Sequence, residues 1–182
     1  MAEEKIEPKY VKVQGSSIYF YCEVSVESVL EFNSELTKLD REMRSMYDEP
    51  TIKVFIHSPG GDIHAGFSAH DHIQMCKSRV ITVADGLTAS AAAVMYLGGH
   101  ERHMTKNAWV LIHQLGHEIW GNFDELVAEV KNCRKVMKQM IRLCERLTNL
   151  SDSKLEKMMH QDILLSSRKC LKYGVTHKIC AP

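Results

Sequence analysis

The chain has 182 residues, 45% of them hydrophobic and 25% charged, which suits one domain with a sizeable core and excludes a disordered or collagen-like chain. Lys plus Arg number 23 and Asp plus Glu number 23, so no basic excess points to nucleic acid. No apolar run approaches the about 20 residues that cross a membrane, and the charged start Met1-Ala2-Glu3-Glu4-Lys5 leads into no signal core.

Residues 1–17 read as a polar arm ahead of a single domain over 18–182. Ile18, Phe20, Cys22 and Val24 alternate with polar or aromatic neighbours, the period of a strand. Ser25 is placed to cap a helix with an apolar face of Val26, Val29, Leu30, Leu36 and Leu39, and 40–51 reads as a loop or frayed end. Ile52 to Ile56 is β-branched enough for a buried strand; the turn Ser58-Pro59-Gly60-Gly61 follows, then a helix from Ile63 to Lys77. Val80 to Ala84 is a second buried strand, closed by Asp85-Gly86. Ala89 to Leu97 is small and apolar all round, a buried helix. Strands near 102–105 and 109–113 lead to a long helix over 123–148, and short helices near 153–159 and 167–173 finish the chain. This alternation of strand and helix predicts an α/β domain with a mostly parallel sheet. The six cysteines form no Cys-x-x-Cys pair and several sit on apolar faces; a reducing, cytoplasmic setting without disulfides or structural zinc is expected.

Two segments can carry chemistry. Gly60-Gly61 lies at a strand-to-helix turn, where it is either a tight turn or a loop that lets a ligand approach the backbone; neither phosphate-loop spacing is present. Ser90 opens the buried helix after Gly86, either as its cap or as a nucleophile beside free N–H groups. A serine nucleophile needs a base and an orienting acid. His113 ends the apolar strand from Trp109, where active sites of parallel sheets gather. The pairs His70/His72, His100/His103 and His113/His117 lack nearby Cys or carboxylate ligands at zinc spacing, so no metal is expected.

Four runs in order, Ile56-His57-Ser58-Pro59-Gly60-Gly61, Gly86-Leu87-Thr88-Ala89-Ser90-Ala91-Ala92, Leu111-Ile112-His113-Gln114 and Asp162-Ile163-Leu164-Leu165-Ser166, with Tyr173-Gly174 closing, resemble the proteolytic subunits of the Clp protease, the ClpP family. The resemblance implies a ClpP/crotonase-like fold of repeated β-β-α units with a protruding handle helix. It implies Ser90 as nucleophile, His113 as general base and Asp162 as the residue that orients it. It assigns the oxyanion hole to the backbone N–H groups of Gly61 and Ala91. Asp62, Ile63, Leu115 and Gly116, with His117, would then pair with substrate as an added strand. No cofactor is implied.

It further implies an ATP-dependent serine endopeptidase acting on unfolded polypeptides and peptides, a homo-oligomer of two stacked heptameric rings, and an AAA+ unfoldase partner, with no nucleic acid or membrane. Leu126, Val130, Cys133, Met137, Met140, Cys144 and Leu147 step alternately by 4 and 3, a seam that suits handle-to-handle packing. His57, Leu115, His160-Gln161, Ile163-Leu164, Lys169 and His177 depart from the family's usual residues, which marks a divergent member of a kind that phages can encode. A crotonase-type acyl-CoA enzyme, a phage capsid-maturation protease and a non-catalytic ring subunit are the alternatives; the first and the last do not need Ser90, His113 and Asp162 together.

Overall fold

The computed structural model describes residues 11–116 and 118–180. Strands β1 (Val11–Gln14) and β2 (Ser17–Phe20) form an antiparallel hairpin turned by Gly15. The arm expected over 1–17 therefore differs in its second half. Val11 is buried and Val13 half-buried against the core, so the domain begins ahead of Ile18. The first ten residues lie outside the described part.

From β2 the sheet runs through parallel pairs to β3 (Thr51–Ser58), β4 (Arg79–Ala89), β5 (Glu101–Thr105) and β8 (Lys178–Cys180). Alternate residues of β3, Ile52, Val54, Ile56 and Ser58, are buried, the pattern of a strand covered mainly on one face. β4 does not stop at Asp85-Gly86 as its sequence suggests. Gly86 takes φ +78, and a Cβ there would come within 2.3 Å of the His57 ring. His57 Nδ1 instead accepts from the Leu87 N–H at 3.0 Å, and the strand continues past a register shift. Its first half pairs with β5 and its last three residues with β6 (Trp109–Leu111), which in turn pairs antiparallel with β7 (Leu164–Ser166). This split carries β4 from the main sheet to the site.

Helix α1 (Val26–Met46) starts at a reciprocal cap between Ser25 and Ser28. Its buried face is Val29, Phe32, Leu36, Leu39 and Met43, whereas Val26 and Leu30 are exposed. It runs past Asp40, where a loop or frayed end is expected, because Met43 is buried and Asp40 accepts from the Ser78 N–H at 2.8 Å. Helix α2 (Ile63–Met75) is capped by Asp62, whose Oδ1 accepts from Ala65 N–H at 2.7 Å. It packs on the wholly buried α3 (Ala91–Leu97) so closely that a Cβ on Gly66 would lie 2.7 Å from the Ala91 carbonyl.

Helix α4 (Phe123–Leu147) is capped by Asn122 and Glu125 and buries side chains only from Met140 onward. Helices α5 (Asp152–His160) and α6 (Ser167–Lys172) close the domain. Buried Arg102 ties these ends together: its guanidinium donates to the carbonyls of Leu147 at 2.7 Å, Val175 at 3.0 Å and Gly174 at 3.1 Å. Cys144 and Cys170 behave as core, with burial pushing both thiols up to about 12.

Candidate active site

Ser90 stands between the end of β4 and the start of α3 with φ 57 and ψ −127, a backbone state that costs about 1–3 kcal/mol and survives only where its surroundings impose it. Its N–H donates to the Leu111 carbonyl of β6 at 2.8 Å, and its own carbonyl accepts from Ala93 and Val94. The side chain makes no capping bond to α3. Of the two roles open to Ser90 in the sequence, capping is thus the one its geometry does not serve.

The double glycine has a steric cause. A Cβ on Gly60 would sit 2.5 Å from Ser90 Cβ and 2.7 Å from the Ala89 carbonyl, so only glycine lets this loop lie against the serine. Gly61 forms a parallel bridge with Val24, in which Val24 N–H donates to the Gly60 carbonyl and Asp62 N–H to the Val24 carbonyl, both at 2.8 Å. Such a bridge turns the N–H of Gly61 itself to the opposite side. Ala91 is the first residue of α3, so its N–H has no acceptor within the helix.

His113 lies two residues beyond β6. The β6–β7 register pairs Leu111 with Leu164; continued past the strand ends, it sets His113 opposite Asp162. Their Nδ1 and Oδ1 atoms are 4.0 Å apart, within reach of an ion pair and longer than a hydrogen bond. Asp162 has φ 47, a left-handed conformation that Asp tolerates better than most residues. The His113 side chain is about three-tenths exposed and that of Asp162 about two-thirds.

Gly61, Asp62, Ile63, Ser90, Leu115 and Gly116 share one cleft of about 490 Å³. The Leu115 N–H donates to Met137 Sδ of α4 at 3.2 Å, which fixes this edge of the cleft to the long helix. His117 lies outside the described residues. The cleft has a further wall that the sequence did not disclose, made by His64 of α2 and by Glu129, Asn132, Cys133 and Val136 of α4. The α4 residues are spaced as one helical face, the signal that was available. The other histidine pairs sit elsewhere: His70 Nδ1 meets Asp71 at 2.9 Å, and His100 Nδ1 accepts from Val80 N–H at 2.9 Å.

A profile described as Clp protease matches residues 5–182. The chain is 33% identical over 155 residues to the ATP-dependent Clp protease proteolytic subunit 2 of Treponema denticola, covering 82% of this chain and 78% of that one. It is 28% identical over 137 residues to the ATP-dependent Clp protease proteolytic subunit of Deinococcus radiodurans, covering 74% and 67%. Among solved structures, a point mutant of ClpP1 from Listeria monocytogenes matches with a TM-score of 0.80 at 27% identity, covering 92% of each chain. The α/β fold with its mostly parallel sheet is shared with that structure.

Proposed function

This chain belongs to the Clp protease family, and from that premise we propose that Ser90, His113 and Asp162 carry its peptide-bond hydrolysis. It is a Clp-type serine endopeptidase subunit. The observation that carries the residue assignment is the strained, uncapping serine at the strand-to-helix junction, lining a cleft whose other edges are Gly61–Ile63 and Leu115–Gly116.

An extended substrate lies between those two edges and exchanges main-chain hydrogen bonds with them, so recognition depends mostly on backbone. Ser90 Oγ attacks the scissile carbonyl carbon while His113 takes its proton. The N–H groups of Gly61 and Ala91 hold the oxyanion. The C–N bond then breaks as His113 returns the proton to the leaving amine. Water attacks the acyl-enzyme with His113 again as base, and Ser90 is freed. Asp162 fixes the ring's tautomer and stabilises its charged form; the 4.0 Å separation closes to a hydrogen bond on substrate engagement.

The purified protein is expected to hydrolyse a short fluorogenic peptide without an added ATPase, and removal of residues 2–9, which spares β1, is expected to change the rate by less than about tenfold. Activity that appears only with an ATPase, or a larger jump on truncation, would show that the N-terminal segment gates access. An AAA+ unfoldase supplying unfolded polypeptide is part of this reading, supported by the relatives named ATP-dependent. So is a cytoplasmic location, which suits six free thiols. Among the described residues no helix is long and apolar enough to cross a membrane.

The family implies an oligomeric protease, and two stacked heptameric rings joined through α4 are the proposed form. Supporting this, residues 123–139 of α4 have no fully buried side chain, and Val127 and Val130 are more than a third exposed on that stretch. Met137 already holds the cleft through Leu115, so Val127→Glu with Val130→Glu is the cleaner test. Light scattering is expected to show the mass fall by half while Ser90 still takes a fluorophosphonate label; an unchanged mass counts against α4 as the joint.

A further inference from the structure

Helix α4 stacks cations on one stripe. Lys135, Lys138, Arg142 and Arg146 step by 3, 4 and 4 residues, the spacing that sets side chains one above another on a helix. All four are exposed, and they line a groove of about 550 Å³ whose other wall is α2. The whole chain carries equal numbers of acids and bases, yet among the described residues Asp71 is this groove's one carboxylate. Among those residues none of the four cations makes an ion pair. Like charges at i,i+4 repel and weaken a helix, and an anion laid along the stripe removes that repulsion. The α2 wall adds a second observation. The His70 side chain, which also lines the groove, is 5% exposed, and its Nδ1 lies 2.9 Å from Asp71 Oδ1. A carboxylate only accepts, so Nδ1 carries the proton shared there and Nε2 is left as an acceptor. Nε2 is buried and has no partner among the described residues. A buried polar atom left unpaired is costly, and a ligand hydroxyl or its water donating to Nε2 relieves that cost.

We propose that this groove binds an oligophosphate anion, a short chain of phosphates carried by a nucleotide or free in inorganic form. Phosphate suits it better than an acidic peptide on three grounds. Successive cations are about 4.5–6 Å apart along the helix axis, whereas an extended peptide sets the carboxylates of one face about 6.6 Å apart and falls out of step. A phosphate chain carries oxygens at every link and meets successive cations at either spacing. Arg142 and Arg146 offer planar forks that hold phosphate oxygens in pairs, and Lys135 and Lys138 act as point charges. A terminal phosphate that keeps one proton can donate to His70 Nε2, which an ionised carboxylate cannot. Phe67 and Leu143 supply an apolar flank suited to a base, which is where the two phosphate sources differ. The groove shares no lining residue with the Ser90 cleft, so this site stands apart from the nucleophile assignment.

The test is calorimetric titration of the full-length, assembled protein with inorganic triphosphate, ATP, a hexaglutamate peptide and sulfate, all at one ionic strength. Triphosphate is expected to bind saturably, at least about tenfold more tightly than sulfate or hexaglutamate. Arg142→Gln with Arg146→Gln is expected to weaken it by about tenfold or more, the scale of two partly screened charge contacts. Lys135→Gln with Lys138→Gln, on the earlier turns, is expected to do the same. Lys169→Gln with Lys172→Gln removes the same charge from α6 and is expected to change affinity by less than about threefold. All of these side chains are exposed, so each variant is expected to unfold at the parent's denaturant midpoint. ATP binding more tightly than triphosphate identifies a nucleotide as the source; equal or weaker binding identifies the inorganic chain. Absence of saturable binding by triphosphate and ATP overturns the inference. So does hexaglutamate binding as tightly as triphosphate, or affinity that neither groove variant lowers.

Discussion

Ser90→Ala is expected to lower peptide hydrolysis by a factor on the order of 10⁴–10⁶ while the folded protein persists. The size follows from the role: without Oγ no acyl-enzyme forms, and only the oxyanion donors and substrate positioning remain. The persistence follows from the structure. Ser90 Oγ makes no cap bond to α3, so its loss removes no partner from the helix. The backbone at φ 57 is as strained for Ser as for Ala, so the substitution adds no conformational cost. Unfolding free energies from denaturant titration within about 0.5 kcal/mol of the parent are expected. Hydrolysis near the parent rate would remove Ser90 from the mechanism.

Asp162→Asn is expected to cut kcat by a factor on the order of 10⁴, with KM little changed. The amide cannot hold the ring in the tautomer that leaves the far nitrogen free to accept the serine proton, and it cannot stabilise the charged ring. The substitution isolates this effect. Asn tolerates the left-handed φ of 47 at least as well as Asp, and two-thirds of the side chain is in solvent, so no core contact is lost. A fall below about tenfold would remove Asp162 from the triad.

The sequence reveals the parts of the site that rest on short-range constraint. Gly60-Gly61 after an apolar β-branched run, and Ser90 before an all-apolar helix, announce two junctions, and the physical need for each is found in their mutual contact, where Gly60 lies on Ser90. What the sequence hides rests on pairing. Leu164-Leu165-Ser166 is three residues long and has no periodicity to read, yet its register with β6 is what sets Asp162 opposite His113. Resemblance named that acid; pairing explains its position. Gly86 reads as the end of a strand, and becomes a kink within one because His57 fills the space beside it. The N-terminal hairpin is hidden for a similar reason: Val11 and Val13 are too few to announce a strand, and become one by pairing with Ile18 and Phe20. On α1 the face is shifted because Phe32 and Met43, rather than Val26 and Leu30, meet the core. The α4 wall of the cleft was visible as a helical face, but nothing in the sequence says that this face looks toward Ser90.

The most direct measurement is reaction of the purified, folded protein with a fluorophosphonate, followed by mass mapping of the modified peptide. A serine activated by a neighbouring base displaces fluoride and keeps the phosphonyl group, whereas an ordinary surface or capping serine does not react. The expected result is a single adduct on Ser90, absent from Ser90→Ala and slowed in Asp162→Asn. No adduct on well-folded protein, or an adduct elsewhere that persists in Ser90→Ala, contradicts Ser90 as the nucleophile.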